Sequence, residues 1–179
     1  MNTFCIKKEH LDKDNFYVGK EDLSNYQGNI EAQENLGTIR FENSLRSSGN
    51  IYFRTGSGIE AGYGIEAGNS IKAGWGIKAG NSIKAGWGIK AGWGIEAGNS
   101  IEAGYGIVCK LELSSKLRIF AGLITWRMPT KEEMQIKVGK LVQGQVCYGE
   151  LIETGLPKED CCNGKVVEIE GKKYQLKAI

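Results

Sequence analysis

Side chains that commonly perform catalysis are sparse in this sequence, and none of them stands in a known catalytic motif. His10 is the single histidine among 179 residues, so few schemes that need an imidazole base are open. The chain has no Gly-x-Ser-x-Gly elbow, no phosphate-binding P-loop, no dinucleotide-binding fingerprint and no histidine-containing metal motif. We therefore expect no enzymatic activity, no catalytic residue, no bound metal and no cofactor.

Cysteines are the other candidates for chemistry, and the chain contains Cys5, Cys109, Cys147, Cys161 and Cys162. Their number is odd and no Cys-x-x-Cys spacing occurs, which favours reduced thiols in a cytosolic protein. Cys161 and Cys162 are adjacent in a polar segment, so a redox-active or metal-binding pair is the alternative. No neighbouring histidine or further cysteine completes a tetrahedral site there.

Charged and aromatic side chains, by contrast, recur at fixed positions of a six-residue repeat. Residues 59–106 read IEAGYG, IEAGNS, IKAGWG, IKAGNS, IKAGWG, IKAGWG, IEAGNS and IEAGYG without a gap. Isoleucine and the alanine two positions later share one face of a short strand, and the Glu or Lys between them faces out. The glycines are expected to form the corners, where a positive φ costs them little. An apolar period of six excludes a helix and predicts a β-solenoid.

The outward charges predict three hexads per coil. Two hexads per coil would stack Lys72 on Lys84 and Lys78 on Lys90, and like charges on adjacent strands are unfavourable. Three hexads, or 18 residues, give columns that alternate in sign, with the like pair Lys72 and Lys90 as the exception. The alternating columns are Glu60, Lys78 and Glu96, and Glu66, Lys84 and Glu102.

The flanks of the repeat look like further coils with a less regular sequence. Ile39, Leu45 and Ile51 keep the six-residue spacing, and apolar and polar residues alternate from Ile107 onward. Near the C-terminus, VVEIEGKKYQLK predicts a β-hairpin that turns at Gly171. We predict an all-β protein: a three-sided parallel β-solenoid of six-residue strands with a small C-terminal β cap. The predicted segments are an N-terminal cap at 1–27, the solenoid at 28–127 and a C-terminal cap with the hairpin at 128–179.

The hexads resemble two known groups of β-solenoid. Hexapeptide-repeat acyltransferases build coils of three strands from the pattern [LIV]-[GAED]-x-x-[STAV]-x, and Ile and Glu match its first two positions in some repeats. The fifth position here is Tyr, Trp or Asn, and the family's catalytic histidine has no counterpart because His10 lies outside the repeats. Bactofilins, which are filament-forming bacterial solenoids, are similar in coil length and in lacking catalytic residues. This second resemblance implies a structural, self-assembling scaffold.

A third resemblance extends beyond the repeat. The I-x-A-G-x-[GS] array, followed by SKLRIFAGLITWR and PTKEEM, looks like small proteins of phages and bacterial mobile elements, some of them anti-CRISPR-type inhibitors. It implies a non-enzymatic protein that binds a protein or ribonucleoprotein target of a defence system in the bacterial host cell. It brings no catalytic residues with it.

Aromatic residues at the corners are the main candidates for partner binding, and these are Tyr63, Trp75, Trp87, Trp93 and Tyr105. The 18-residue register stacks Trp75 on Trp93 and Trp87 on Tyr105, so a ladder that stiffens the solenoid is one interpretation. A protein-binding surface is another, because Trp and Tyr dominate interface energetics. Base stacking on single-stranded nucleic acid is a third. The neighbouring Lys72, Lys84 and Lys90 suit both binding interpretations.

The segment after the repeats carries a local excess of positive charge. Over residues 107–140 seven Lys and Arg stand against three Glu, whereas the formal net charge of the whole chain is +2. A solvated edge of the last coil is one interpretation. A patch for phosphates or an acidic protein face is the other, with Lys116, Arg118, Trp126 and Arg127 as candidate contacts.

Composition predicts a soluble protein of the bacterial cytoplasm. A net charge of +2 argues against a strongly basic coat for nucleic acid. No apolar run approaches the ~20 residues of a membrane span, and MNTFCIKKEH lacks the apolar stretch of a signal peptide. We expect no membrane partner, and we leave nucleic-acid contact and homo-oligomerisation open.

Overall fold

Short strands are the main regular elements of the structure, a computed structural model that describes residues 2–157 and the backbone of two further strands. Strands β1 to β7 span Thr3–Ile6, Asn29–Ala32, Gly37–Phe41, Leu45–Ser47, Ile51–Phe53, Ser57–Ala61 and Ile65–Ala67. Strands β8 to β14 span Ile71–Ala73, Ile77–Ala79, Ile83–Ala85, Ile89–Ala91, Ile95–Ala97, Ile101–Ala103 and Ile107–Cys109. Strands β15 to β20 span Glu112–Ala121, Gln135–Val138, Lys140–Tyr148, Glu150–Glu153, Val166–Ile169 and Lys172–Gln175. Single turns of 3-10 helix occupy Lys8–His10 and Glu132–Met134.

The strands stack in three columns, which we call faces A, B and C. Face A contains β1, β2, β5, β8, β11, β14, β16 and β18 in that order. Face B contains β3, β6, β9 and β12, and face C contains β4, β7, β10 and β13. The long strand β15 pairs with β12 through its first half and with β13 through its second, and β17 pairs along β15. All these pairings are parallel, so the predicted three-sided parallel β-solenoid is confirmed.

The register confirms three hexads per coil. Ile59 pairs with Ile77, and Ile77 pairs with Ile95, so one coil of the regular repeat takes 18 residues. The alternating Glu and Lys columns and the like pair Lys72 and Lys90 lie side by side as predicted. The preceding coil takes 20 residues, since Ile39 pairs with Ile59. The extra residues Thr55 and Gly56 form a wider turn just before β6.

The core is the ladder of isoleucines and alanines. The isoleucine of every hexad is 0–1% exposed and the alanine 0–3% exposed. Each buried isoleucine contributes about 1.5–3 kcal/mol through removal of apolar surface from water. The Glu or Lys between them faces solvent, which is the alternation that a half-buried strand requires.

The corner glycines of the hexads serve a different purpose from the one expected. Positive φ occurs at glycines outside the hexads, such as Gly56 at 75° and Gly122 at 85°, so the prediction of positive φ in the repeat corners is wrong. The first glycine of each repeat corner is instead crowded by the coil before it. A Cβ built on Gly92 would overlap the carbonyl oxygen of Gly74, and the equivalent overlap recurs coil after coil. Backbones stacked at strand spacing leave no room for a side chain there.

An aromatic cluster closes the N-terminal end of the core. The backbone amides of Tyr17 and Tyr26 donate to carbonyls of β3 and β4, so these outermost strand edges are paired. The ring of Phe4 stacks on His10 with ring centroids 5.4 Å apart and lies 6.2 Å from Tyr17 and 6.1 Å from Tyr26. His10, the single histidine, therefore contributes to packing, and its Nδ1 accepts a hydrogen bond from the amide of Lys7.

The C-terminal end of the core is less covered within residues 2–157. Leu141, Val146 and Leu151 of the last coil pair with Leu113, Ile119 and Ile136 of the coil before. The earlier three are fully buried, whereas Leu141 and Val146 are half-buried and Leu151 is 37% exposed. The parallel sheets thus include β1 and β16 to β18, which lie in the two segments expected to act as caps. The division of the chain into three segments stays a prediction.

The C-terminal strands β19 and β20 pair antiparallel, with Val166 opposite Gln175, as the predicted hairpin requires. The turn residue Gly171 and the adjacent Cys161 and Cys162 lie outside the described residues. Among the described residues, no helix has both the length and the apolar character needed to cross a membrane.

Candidate interaction surfaces

The corner residues form three edges of the solenoid, and the structure divides the predicted aromatic residues among them. Edge AB, between faces A and B, carries Trp75, Trp93 and Leu111. Edge CA carries Asn69, Trp87, Tyr105 and Gly122, and edge BC carries Tyr63, Asn81, Asn99 and Leu117. Backbone hydrogen bonds of 2.9–3.4 Å between successive corner residues hold each edge in register.

Two of these edges carry stacked ring pairs, as the sequence predicts. Trp75 and Trp93 stack with ring centroids 4.8 Å apart and an angle of 8° between their planes. Trp87 and Tyr105 stack less closely, with centroids 6.2 Å apart and an interplanar angle of 21°. Such pairs stabilise the fold by about 0.5–1.5 kcal/mol beyond the burial of their surface. The stacking geometry is therefore sufficient for a role in stiffening the solenoid.

The same rings are also accessible to a partner. Trp87 is 45% exposed and Trp93 is 50% exposed, whereas Trp75 and Tyr105 are half-buried by their neighbours. Tyr63 is 56% exposed on edge BC, where the next two corner residues are asparagines and no ring stacks on it among the described residues. Stiffening and binding are therefore compatible for the two ring pairs, because each ring can cover a neighbour and still present its outer rim.

Face A carries lysines that lack acidic partners. Lys72 and Lys90 are direct neighbours, and the column continues with Val108 and Lys137. The Nζ atom of Lys72 lies 4.8 Å from the centroid of the Tyr52 ring, a cation–π contact. In the stretch 2–157, the ion pairs of 4.0 Å or less do not include Lys72, Lys90 or Lys137.

On faces B and C, the acidic and basic side chains of the same coils lie next to each other. On face B, Arg40 lies 3.2 Å from Glu60 and Lys78 lies 3.3 Å from Glu96. On face C, Arg46 lies 3.7 Å from Glu66, and Lys84 lies between Glu66 and Glu102 in the sheet. Lys84 thus belongs to a neutral column on another face from Lys72 and Lys90, and the structure does not join the three predicted lysines into one patch.

The basic segment after the repeats is also divided between two edges. Lys116 and Arg118 flank Leu117 on edge BC, where Arg118 pairs with Gln145 of β17. Trp126 and Arg127 lie in the loop that follows edge CA, and Trp126 is 65% exposed. The structure therefore does not bring Lys116 and Arg118 together with Trp126 and Arg127.

Arg127 is engaged within the chain. Its guanidinium donates to both carboxylate oxygens of Glu133, at 2.6 Å and 2.8 Å. The hydrogen bonds to Glu133 raise the pKa of Arg127, and Tyr105 adds to the effect. The hydrogen bonds from Arg127, followed by the backbone amide of Thr130, lower the pKa of Glu133 to about 2. This bidentate pair fixes the loop beside edge CA and limits the reach of Arg127 toward a partner.

Sequence reasoning missed some residues that share these surfaces. Tyr52 and Val108 belong to the lysine column of face A, and extending the 18- and 20-residue registers outward would have placed both. Lys137 could not be found in this way, because Ile107 pairs with Ile136 across a 29-residue span that contains the long strand β15. Leu123, which is 42% exposed, follows Gly122 at the end of the Trp87 edge, and Met128, which is 83% exposed, lies further along the loop.

The described residues offer little reactive chemistry. Cys5, Cys109 and Cys147 are free thiols, and burial raises the pKa of the Cys109 thiol to about 11. Within the part of the chain that the structure describes, no group of three or more His, Cys, Asp or Glu side chains could hold a metal ion. A groove of about 560 Å³ lies on face B between Trp93 and Leu156, and Lys78 and Glu96, which pair with each other, lie in its lining.

Comparison with known proteins found no match to this chain among family models, curated proteins or solved structures. The class that fold and surface define is a parallel β-solenoid with ring ladders on two of its edges.

Proposed function

We propose that this protein is a non-enzymatic binding protein that inhibits a bacterial defence nucleoprotein complex, of the CRISPR–Cas type, by occupying one of its surfaces. The observation that carries the binding role is the pair of ring ladders on edges AB and CA. The more exposed ring of each pair, Trp93 on edge AB and Trp87 on edge CA, is about half exposed. These two rings flank the same strand, β11. Exposed tryptophans on a fixed backbone are the residues that most often dominate binding energy.

A solenoid suits such a role because its surface is formed before binding. Every corner residue on edges AB and CA is held by backbone hydrogen bonds to the adjacent coils. Little conformational entropy is therefore lost on association, and more of the contact energy is available as affinity. The kind of target follows from the resemblance of the hexad array and of the segment SKLRIFAGLITWR to phage and mobile-element proteins.

The test compares two variants in their binding to a defence complex and in their ability to restore phage plaquing. Trp87→Ala/Trp93→Ala removes both exposed rims, and Tyr63→Ala removes a similarly exposed ring from edge BC as the matched control. Wild type is expected to retain a defence nucleoprotein from host lysate and to restore phage plaquing on a host with an active CRISPR–Cas system. The Trp variant should bind at least ~30-fold more weakly, equivalent to ~2 kcal/mol, while the Tyr63 control binds as wild type.

Melting curves show whether the Trp variant is folded, so that weaker binding is not confused with unfolding. The Trp variant must remain folded, because the isoleucine ladder supplies the core and the rims do not. Equal binding by wild type and the Trp variant, with intact folding, would exclude these rims as the binding surface. Absence of both capture and plaquing across representative defence systems would refute the inhibitor.

A scaffold of the bactofilin kind is the second candidate, and the C-terminal end of the core favours it. Leu141, Val146 and Leu151 are incompletely covered there within residues 2–157, and β17 and β18 are outermost strands. An open strand edge next to exposed apolar residues can pair with another molecule. Sedimentation velocity separates the two candidates: particles that grow with concentration support the scaffold, and one defined species over the whole range supports the inhibitor.

A further inference from the structure

We infer that face A, with its two flanking ring ladders, is the docking surface, and that it takes an acidic protein surface. This inference rests on the proposed binding function and specifies its site and the chemistry of its partner. Face A is the strip of eight parallel strands from β1 to β18, about 34 Å long at a strand spacing of ~4.8 Å.

Charge distinguishes face A from the other two faces. Over the hexad coils, the outward column of face B contains Arg40, Glu60, Lys78 and Glu96, and that of face C contains Arg46, Glu66, Lys84 and Glu102. Each of those columns sums to zero. The corresponding column of face A contains Tyr52, Lys72, Lys90 and Val108, so it has two positive charges and no negative one.

Of the charged groups at the ends of face A, Glu31 and Lys137 lie in this column, and Glu150 of β18 lies beside Gln135 at the C-terminal end. Glu31 precedes Tyr52 in the column, but its carboxylate lies 3.2 Å from the guanidinium of Arg54. Lys137 follows Val108 and adds a third positive charge. Adjacent lysines repel each other, which disfavours the fold slightly, and an anionic partner would relieve that repulsion.

The flanking rings make the strip a protein-binding surface. Trp87 and Trp93 stand at opposite ends of β11, with Lys90 at its centre. Together with Tyr52 and Val108 they give face A a mixture of aromatic, aliphatic and cationic groups. Exposed aromatic anchors beside positive charges that steer approach are the pattern of a polar but specific protein interface.

Ring orientation argues against nucleic acid as the occupant. Base stacking needs a free ring face. One face of Trp75 and one of Trp93 cover each other at 4.8 Å and 8°, and one face of Trp87 and one of Tyr105 cover each other at 21°, so stacking within the ladders leaves a base at most one face of each ring. The exposed ring rims carry the positive end of the quadrupole and favour carboxylates.

The experiment compares two variants of equal net charge on two probes of equal length. Lys72→Gln/Lys90→Gln neutralises face A, and Lys78→Gln/Lys84→Gln removes the same charge from faces B and C as the matched control. The probes are a fluorescently labelled glutamate 20-mer and a labelled oligothymidine 20-mer, followed by anisotropy at low salt. Melting curves confirm that both variants are folded.

We expect the glutamate peptide to bind wild type and to bind the face A variant at least tenfold more weakly. The control should lose no more than twofold, and the oligothymidine should bind wild type more weakly than the peptide. Equal losses in both variants, or no binding of the peptide to wild type, would overturn the inference. Tighter binding of the oligothymidine, lost in the face A variant, would replace the acidic protein with a nucleic acid.

Failure of this inference is distinguishable from failure of the proposed function. If wild type captures a defence complex and Trp87→Ala/Trp93→Ala loses it, the binding function stands whatever the two probes show. If the lysine variants then capture that complex equally well, the assignment of face A to an acidic partner falls alone.

Discussion

At the residue scale, Gly92 illustrates why this chain is rich in glycine. A Cβ there would overlap the carbonyl oxygen of Gly74, whereas a Cβ at Gly76 would lie 3.4 Å from the carbonyl oxygen of Gly94. The repeat reflects this difference, because the position of Gly76 within the hexad is serine in other hexads, such as Ser82. Glycine is thus required by crowding at one corner position and tolerated at the other.

We predict that Gly92→Ala lowers the free energy of unfolding by at least ~2 kcal/mol, since two adjacent coils must separate to admit the methyl group. Gly76→Ser is the matched control and should change it by less than ~1 kcal/mol. Urea denaturation measures both. A Gly92→Ala protein as stable as the control would mean that the coils stack more loosely than the structure indicates.

The second residue-scale prediction concerns Glu133, whose pKa is lowered from 4.5 to about 2 by its hydrogen bonds with Arg127. A carboxyl with a depressed pKa in the folded state stabilises that state fully above its ordinary pKa. This contribution is lost as the pH falls from about 4.5 toward 2. Arg127→Gln should shift the carboxyl NMR titration of Glu133 toward 4.5 and reduce this pH dependence, while the amide of Thr130 still lowers the pKa. A Glu133 titration unchanged by that substitution would show that the loop holds the carboxylate without Arg127.

At the scale of the elements, each face is a column of short strands whose outward residues lie beside their neighbours in the column. The isoleucine ladder is common to all three faces, so the charges are what distinguish them. Faces B and C use opposite charges to support the stack, and face A does not. Face A therefore retains a small electrostatic repulsion between Lys72 and Lys90, which the proposed binding role would explain.

Lys90→Glu tests that repulsion directly. It replaces the like pair Lys72 and Lys90 with an opposite pair, so we expect the free energy of unfolding to rise by about 0.2–1 kcal/mol at low salt. Lys78→Glu, which would stand between Glu60 and Glu96, is the matched control and should lower it by a similar amount. Both effects should shrink at high salt. Destabilisation by Lys90→Glu would show that Lys72 and Lys90 are not in unfavourable contact.

At the scale of the whole molecule, stability passes from coil to coil, because each coil contacts the coils directly next to it. In such a stack the intrinsic stability of one unit and its two interfaces determine local opening. The N-terminal end depends on the cluster of Phe4, His10, Tyr17 and Tyr26, which covers the last apolar residues there. The solenoid is thus expected to open first at its ends.

We predict that Phe4→Ala increases amide hydrogen exchange at least tenfold in β1 to β3 and leaves β9 to β13 unchanged. The expected reason is that the lost ring contacts reach only the first coil and its neighbour. Val18→Ala, at a side chain that is 60% exposed in the same segment, is the matched control and should change neither region. Uniform acceleration across all coils would indicate that the solenoid unfolds as one cooperative unit.

The amino-acid sequence by itself determined the repeating part of the fold. A period of six assigns isoleucine and alanine to the core, and the signs of the intervening charges select 18 residues per coil. Both inferences depend on interactions between adjacent strands, which a regular repeat makes local in sequence. The ring pairs Trp75 with Trp93 and Trp87 with Tyr105 follow from the same register for the same reason.

Only the tertiary structure decided which candidate residues share a surface. The hexad assigns Lys84 and Lys90 to equivalent positions and the 18-residue register separates them into two columns, which the structure identifies as faces C and A. Irregular segments decided the rest: Lys137 joins face A across a long excursion, and Arg127 is held by Glu133 in a loop. Such pairings depend on where a non-repeating chain returns to the stack, and no sequence period records that.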